Sequence, residues 1–392
     1  MLLTTLKRRL GRGTISPAAR RERRRDRRDG LRPDPGADEA VTAAAAWLGR
    51  AQDRSTSADG GVARHYSLID GWSTSYPETT GYIVPTLLAV GDHTGVSDHR
   101  ARAQRMLDWL VSIQLADGGF QGGRIDARPI VPVTFNTGQI LIGLAAGVQA
   151  FGTGYVAAMH GAARFLRDSQ DADGCWRRHP TPFAAPGEKA YETHAALGLF
   201  RAAAAAPGHG YKTAGLRQID WALGKQQDNG WVADCCLNDP ARPLTHTLGY
   251  FLRGVLEAYD AAEDARHLDA ACRTADGLMT AQRTDGALPG RLTADWAPAA
   301  NWVCVTGLAQ IAECWWHLAE TTGRADYASA AAAANRFVRR TMDVDGYPDI
   351  RGGVKGSFPV DGGYGAYEYL NWAAKFTIDA NLAEIRFNRT PR

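Results

Sequence analysis

Four residues recur at comparable points along the chain, each just inside a helix-forming run: Glu78 in YPETTGY, Asn136 in FNTGQ, Glu192 in YETHA and His246 in LTHTLGY. A threonine follows each one. Oxygen-bearing side chains at a helix start satisfy free N–H groups and the helix dipole, so capping is one reading of any single member. Capping does not call for groups that differ in acid-base character, whereas two carboxyls and an imidazole are what general acid/base catalysis uses. Glu78, Glu192 and His246 are therefore the expected catalytic set. Asn136, Asn371 and Lys375 are expected to position a substrate, with Trp72, Tyr76, Arg178, Tyr191, Trp302 and Trp372 around it. Paired carboxyls would serve glycoside hydrolysis. A base such as Tyr76, Tyr191 or His246, with Asn136, Arg178 or Lys375 on a carboxylate, would serve elimination or epimerisation at a uronic acid. The sequence leaves these reactions open.

Two further features bear on the ligand. Arg124, Arg128, Arg177, Arg178, Arg291 and Arg351 stand in the same glycine- and aromatic-rich segments and favour a polar, anionic substrate. Cys235, Cys236, His246 and Cys304 form a rival set, because zinc takes thiolate and imidazole ligands. No C-x-x-C spacing is present, and adjacent cysteines point apart. No metal or other cofactor is expected, with zinc at those four residues as the alternative.

These residues are placed by a repeat. A helical run, usually ending in Gln, leads into an Asp-Gly or Asn-Gly turn six times, at Asp59, Asp117, Asp173, Asn229, Asp285 and Asp345. The gaps are 58, 56, 56, 56 and 60 residues, a period that marks a repeat architecture. Each period holds an amphipathic helical pattern, as in HRARAQRMLDWLVSIQ, and then a more uniformly apolar one, as in NTGQILIGLAAGVQAF. A helix apolar on one stripe faces water on its other side, and one apolar all round is buried. The pattern predicts an all-α (α/α)6 toroid of six hairpins over residues 37–392, with an outer and an inner ring. Its long connections gather at one mouth, where function is expected. The turn aspartates themselves read as turn chemistry.

The phrases QLADGGF and DSQDADGCW resemble the Gln-Trp repeats of the terpenoid-cyclase and protein-prenyltransferase toroids, and the hairpin ring resembles the six-hairpin glycosidases, polysaccharide lyases and uronate epimerases. The strings SYPETTGYIVPTLL, FNTGQILIGL, HTLGYFLRGVLE and NWVCVTGLAQIAECWW look like those of bacterial toroid proteins that accompany polysaccharide-assembly genes. The resemblance implies a hydrolase, lyase or epimerase acting on a polar oligosaccharide or polysaccharide, including uronic-acid-containing ones. A terpenoid-cyclase-like or prenyltransferase-like enzyme and a non-catalytic glycan-binding ring are its alternatives. The Asp-x-Asp-Asp motif of squalene-hopene cyclases is missing.

The net charge of +3 conceals an asymmetry. Residues 1–36 hold 12 Lys/Arg against 4 Asp/Glu, while the rest holds 33 against 38. Composition predicts a disordered basic tail, able to touch an anionic membrane surface, and no nucleic-acid partner. With no apolar stretch after the basic start, and no run long enough to span a membrane, the expected location is cytoplasmic, at most peripheral to the inner membrane face.

Overall fold

The period seen in the sequence is a hydrogen-bonding register. The computed structural model describes residues 15–389. Asp59, Asp117, Asp173, Asn229 and Asp285 each accept from the backbone N–H two residues on, at 2.9–3.2 Å. The glutamine before each turn reaches two ways. Gln114 Nε2 donates to Gly118 O and Ala158 O, both at 2.9 Å. Gln170 Nε2 donates to Gly174 O at 2.8 Å and Ala214 O at 2.9 Å. Gln52 and Gln282 do the same with Gly60 and Arg102, and with Gly286 and Ala330. One carbonyl belongs to the glutamine's own turn and the other to the next amphipathic helix, so each of these four repeats is tied to its successor.

Thirteen helices follow among the described residues: α1 (Pro17–Arg28), α2 (Ala37–Asp53), α3 (Pro77–Thr94), α4 (Ser97–Ser112), α5 (Thr134–Phe151), α6 (Val156–Ser169), α7 (Thr193–Ala205), α8 (Tyr211–Leu223), α9 (Thr245–Ala262), α10 (Ala265–Thr280), α11 (Val305–Thr322), α12 (Ala325–Arg339) and α13 (Asn371–Arg389). The odd-numbered helices from α3 to α13 form the inner ring, buried almost all round. The even-numbered ones lie outside. Each inner helix packs on the next, and α13 packs on both α2 and α3, which closes a six-hairpin toroid. Small residues let the inner helices approach: a Cβ at Gly81 would fall 2.4 Å from Ile140 Cα, and one at Gly138 would fall 2.5 Å from Ala195 Cα. The inner helices start at the end that holds the long connections.

Short strands sit at that mouth. β1 (His65–Ser67) pairs antiparallel with β2 (Gly71–Trp72) and with β5 (Glu368–Leu370), and β3 (Val303–Cys304) pairs with β4 (Ser357–Phe358). The β1–β5 ladder joins the first repeat to the last. No helix among the described residues is long and apolar enough to cross a membrane.

The expected disordered tail over 1–36 needs correction where it is described; residues 1–14 lie outside the described residues. Residues 17–28 are helix α1, capped by Ser16, whose hydroxyl accepts from Ala19 N. Its acids turn inward. Lys355, 1% exposed, donates to Asp26 Oδ1 and pairs with Glu22 Oε1, both at 2.6 Å, and Val360 N donates to Asp26 Oδ2 at 2.8 Å. Composition misses this because it averages over the buried face that two acids provide.

Replacing Gln170 with Ala leaves two carbonyls unsatisfied and is expected to cost about 1–3 kcal/mol, read by urea unfolding. Asp26→Ala strips a partner from a buried lysine and is expected to cost about 3–5 kcal/mol in the same assay.

Candidate functional site

Four of the six inner-helix starts deliver side chains into one cavity of about 190 Å³. Its wall includes Tyr76, Glu78 and Tyr82 from the first repeat, Phe135 and Asn136 from the second, Tyr191 from the third, His246 and Tyr250 from the fourth, and Tyr364 and Trp372 from the sixth. Arg64, Thr181, Phe183 and Leu237 join it from the connecting segments.

Glu78 stands beside Asn136 in this wall. Asn136 Nδ2 donates to Glu78 Oε2 at 2.9 Å. Burial pushes the carboxyl up to about 7, against the hydrogen bond from Tyr76 and the charge of Arg64. His246 moves the other way: burial lowers it to about 4, opposed by its bond to Gln310. Its Nδ1 meets Gln310 Oε1; in this amide orientation Nδ1 carries the proton and Nε2 is left as the acceptor. Burial and the neighbouring Glu78 raise the Tyr76 phenol above its usual range. Arg64 is held by Glu368 Oε2 at 2.9 Å and lies over the Trp372 ring, 4.9 Å from its centre. Trp372 Nε1 donates to the Tyr364 hydroxyl at 3.0 Å.

Of the expected site residues, the cavity brings together Tyr76, Glu78, Asn136, Tyr191, His246 and Trp372. The others are placed elsewhere, each for a visible reason. Glu192 lines a neighbouring cavity of about 230 Å³ with Trp176 and Lys189, where burial raises its carboxyl to about 8. Trp72 lies on β2, packed on Trp47 with its Nε1 bonded to Asp349. Trp302 is wedged against Gly290 and Gly363. Arg178 is exposed, beside Asp171 and Asp168 O. Asn371 is a closure strut, donating to Ala63 O at 3.0 Å. Lys375 sits one turn deeper in α13, paired with Asp379 at 2.6 Å, and lines a chamber at the opposite end of the bore with Arg253 and Glu313.

The alternative zinc set is not assembled. Cys235 donates to Thr247 O and Cys236 lies against Arg291. Among the described residues, no three His, Cys, Asp or Glu side chains form a metal-ligand group. The loop arginines singled out in the sequence do not reach the cavity either; Arg177, for instance, is taken up by Asp171, Asp173 and Glu188. The register of the polar-then-Thr pattern also shifts. Thr80 and Thr137 do the same job, each accepting from the N–H three residues past its repeat's turn aspartate. Asn136 thus corresponds to Thr79, and Glu78 stands one place earlier.

Sequence reasoning missed Arg64, Tyr82 and Tyr250. The two tyrosines were within reach: ETTGY and HTLGY both place a tyrosine four residues after the acid/base group, one helical turn deeper on the same face. Arg64 has no such signal, since it depends on β5 arriving from 300 residues away.

No protein family and no curated protein matches the chain in sequence. Solved structures are similar in shape. An unsaturated glucuronyl hydrolase specific for heparin superposes with a TM-score of 0.72 at 15% identity, over 90% of this chain and 98% of that one. D-mannose isomerase gives 0.71 at 12%, over 89% and 97%. Cellobiose 2-epimerase from Bacillus thermoamylovorans B4167 gives 0.67 at 10%, over 90% and 98%. At these identities the likeness establishes the six-hairpin α/α toroid fold.

The Glu78 carboxyl is expected to titrate near 7. Carbon-13 NMR of carboxyl-labelled protein, with Glu78→Gln for assignment, checks this; a midpoint near the ordinary 4.5 for Glu would refute it.

Proposed function

We propose that this toroid is a carbohydrate-active enzyme that moves a proton at one polar sugar unit held in the Glu78–His246 cavity. The observation that carries the reading is the pairing of a carboxyl raised to about 7 with an imidazole lowered to about 4 in the wall of one cavity. Groups whose environments push their pKa values apart divide the roles of acid and base between them. Protonated Glu78 is the acid, with Asn136 orienting it. Neutral His246 is the base, with Gln310 fixing its ring. Trp372 and the tyrosines offer faces and hydroxyls to a sugar ring, and Arg64 is the cation available to a uronate carboxylate.

Glu192 lies outside this cavity, so the geometry favours elimination, epimerisation or isomerisation over hydrolysis by two carboxylates. The similar structures support a sugar substrate, since their names are those of a glucuronyl hydrolase, a mannose isomerase and a cellobiose epimerase. One observation favours a second reading: eight aromatic rings in the wall also suit a carbocation, as in a terpenoid-handling toroid. Five of the eight are tyrosines, and Glu78, Asn136 and Arg64 stand among them, which weighs toward a hydroxyl-rich ligand.

Incubation with neutral and uronic-acid oligosaccharides in heavy water, read by mass spectrometry, tests the proposal. Deuterium at carbon without cleavage marks epimerisation or isomerisation, and an unsaturated end marks elimination. Water added on cleavage marks hydrolysis. Glu78→Gln and His246→Gln are each expected to lower kcat by about 10²–10⁴-fold. The rate should fall below about pH 4, where His246 is protonated, and above about pH 7, where Glu78 loses its proton. A folded protein that converts no sugar in the panel sinks this reading.

A further inference from the structure

Helix α1 separates its charges by face. Its acids, Glu22 and Asp26, are buried against Lys355, and Ala19 is buried with them. Arg20, Arg21, Arg24 and Arg28 are exposed. Among the described residues no acidic side chain forms an ion pair with these four, and Arg20 donates to the carbonyl oxygen of Ile15. Residues 1–14 contain no Asp or Glu that could do so. Asp29, one residue past the helix, is exposed and adjoins Arg28 in sequence. Arg20, Arg24 and Arg28 recur every fourth residue, so they fall along one side of the helix at about 6 Å intervals. The result is a row of guanidinium groups on a docked helix.

The docking ties this row to the cavity. Asp26 bonds Val360 N and Lys355, and Arg27 pairs with Asp361 at 2.9 Å. Three residues beyond Asp361, the same segment supplies Tyr364 to the cavity wall. The helix's small, apolar side is used up against the protein, leaving no apolar face for insertion into lipid, which a membrane-surface helix needs. Arginine forks match carboxylates in two-point contacts, and a row of them suits a regular polyanion.

We propose that the outward face of α1 is a docking surface for an acidic polysaccharide, holding the chain of uronates beside the mouth. The choice of occupant rests on the glycan reading of the cavity.

The test is direct binding by the full chain, which needs no turnover and so stands apart from failure of the catalytic reading. Fluorescence anisotropy with labelled polygalacturonate is expected to show binding that weakens as salt is raised. The Arg20→Gln/Arg24→Gln/Arg28→Gln variant, checked by circular dichroism, should bind at least 10-fold more weakly. Labelled dextran should not bind. Equal binding by wild type and variant overturns the proposal. So does a preference for vesicles of equal phosphatidylserine and phosphatidylcholine, or for duplex DNA, that the variant abolishes while polygalacturonate binding is absent or unchanged.

Discussion

A single side-chain amide in each of four repeats holds the register on which the rest of this ring depends. Gln52, Gln114, Gln170 and Gln282 each bond one carbonyl of their own turn and one carbonyl of the following outer helix. A buried carbonyl without a partner is costly, so the amide fixes where the turn lies against the next repeat. The turn glycines sharpen the fit: at Gly118 and Gly174 the backbone has positive φ, and a Cβ would fall within 2.4 Å of a carbonyl oxygen of the neighbouring helix. The height of each inner helix follows from that contact, and with it the level at which Glu78, Asn136 and His246 meet.

Burial then supplies the chemistry. The same close approach that seats the inner helices excludes water from their first turns, and the loss of hydration moves a carboxyl up and an imidazole down. Tyr82 and Tyr250 stand one turn deeper, with Phe376 against them, and divide the front cavity from the charged chamber behind. That division explains why Lys375, close to Trp372 in sequence, serves the opposite end of the bore.

The fold was legible in the sequence because a period of nearly constant length carries its own turn chemistry. The site was legible only where it follows that period. Glu78, Asn136 and His246 lie at helix starts and line one cavity; Tyr82 and Tyr250 needed the helical offset to be carried one turn further. Asn371 and Trp302 have the right types near the right places, but closure of the ring claims the first and a glycine-lined slot claims the second. Glu192 ends a short 3-10 turn, Ala190–Glu192, just before its helix begins at Thr193, and lines a separate cavity. Arg64 and the docking of α1 both depend on partners more than 300 residues away, which no local pattern records.

The β1–β5 ladder has a consequence for how the protein comes into being. It sets Arg64, from the first repeat, over Trp372, from the last. On the ribosome the early hairpins emerge long before the strand that completes the wall. A nascent chain lacking its final repeat has Glu78 and His246 but not the part of the cavity wall that Tyr364 and Trp372 supply. The wall is thus completed only when synthesis is nearly finished.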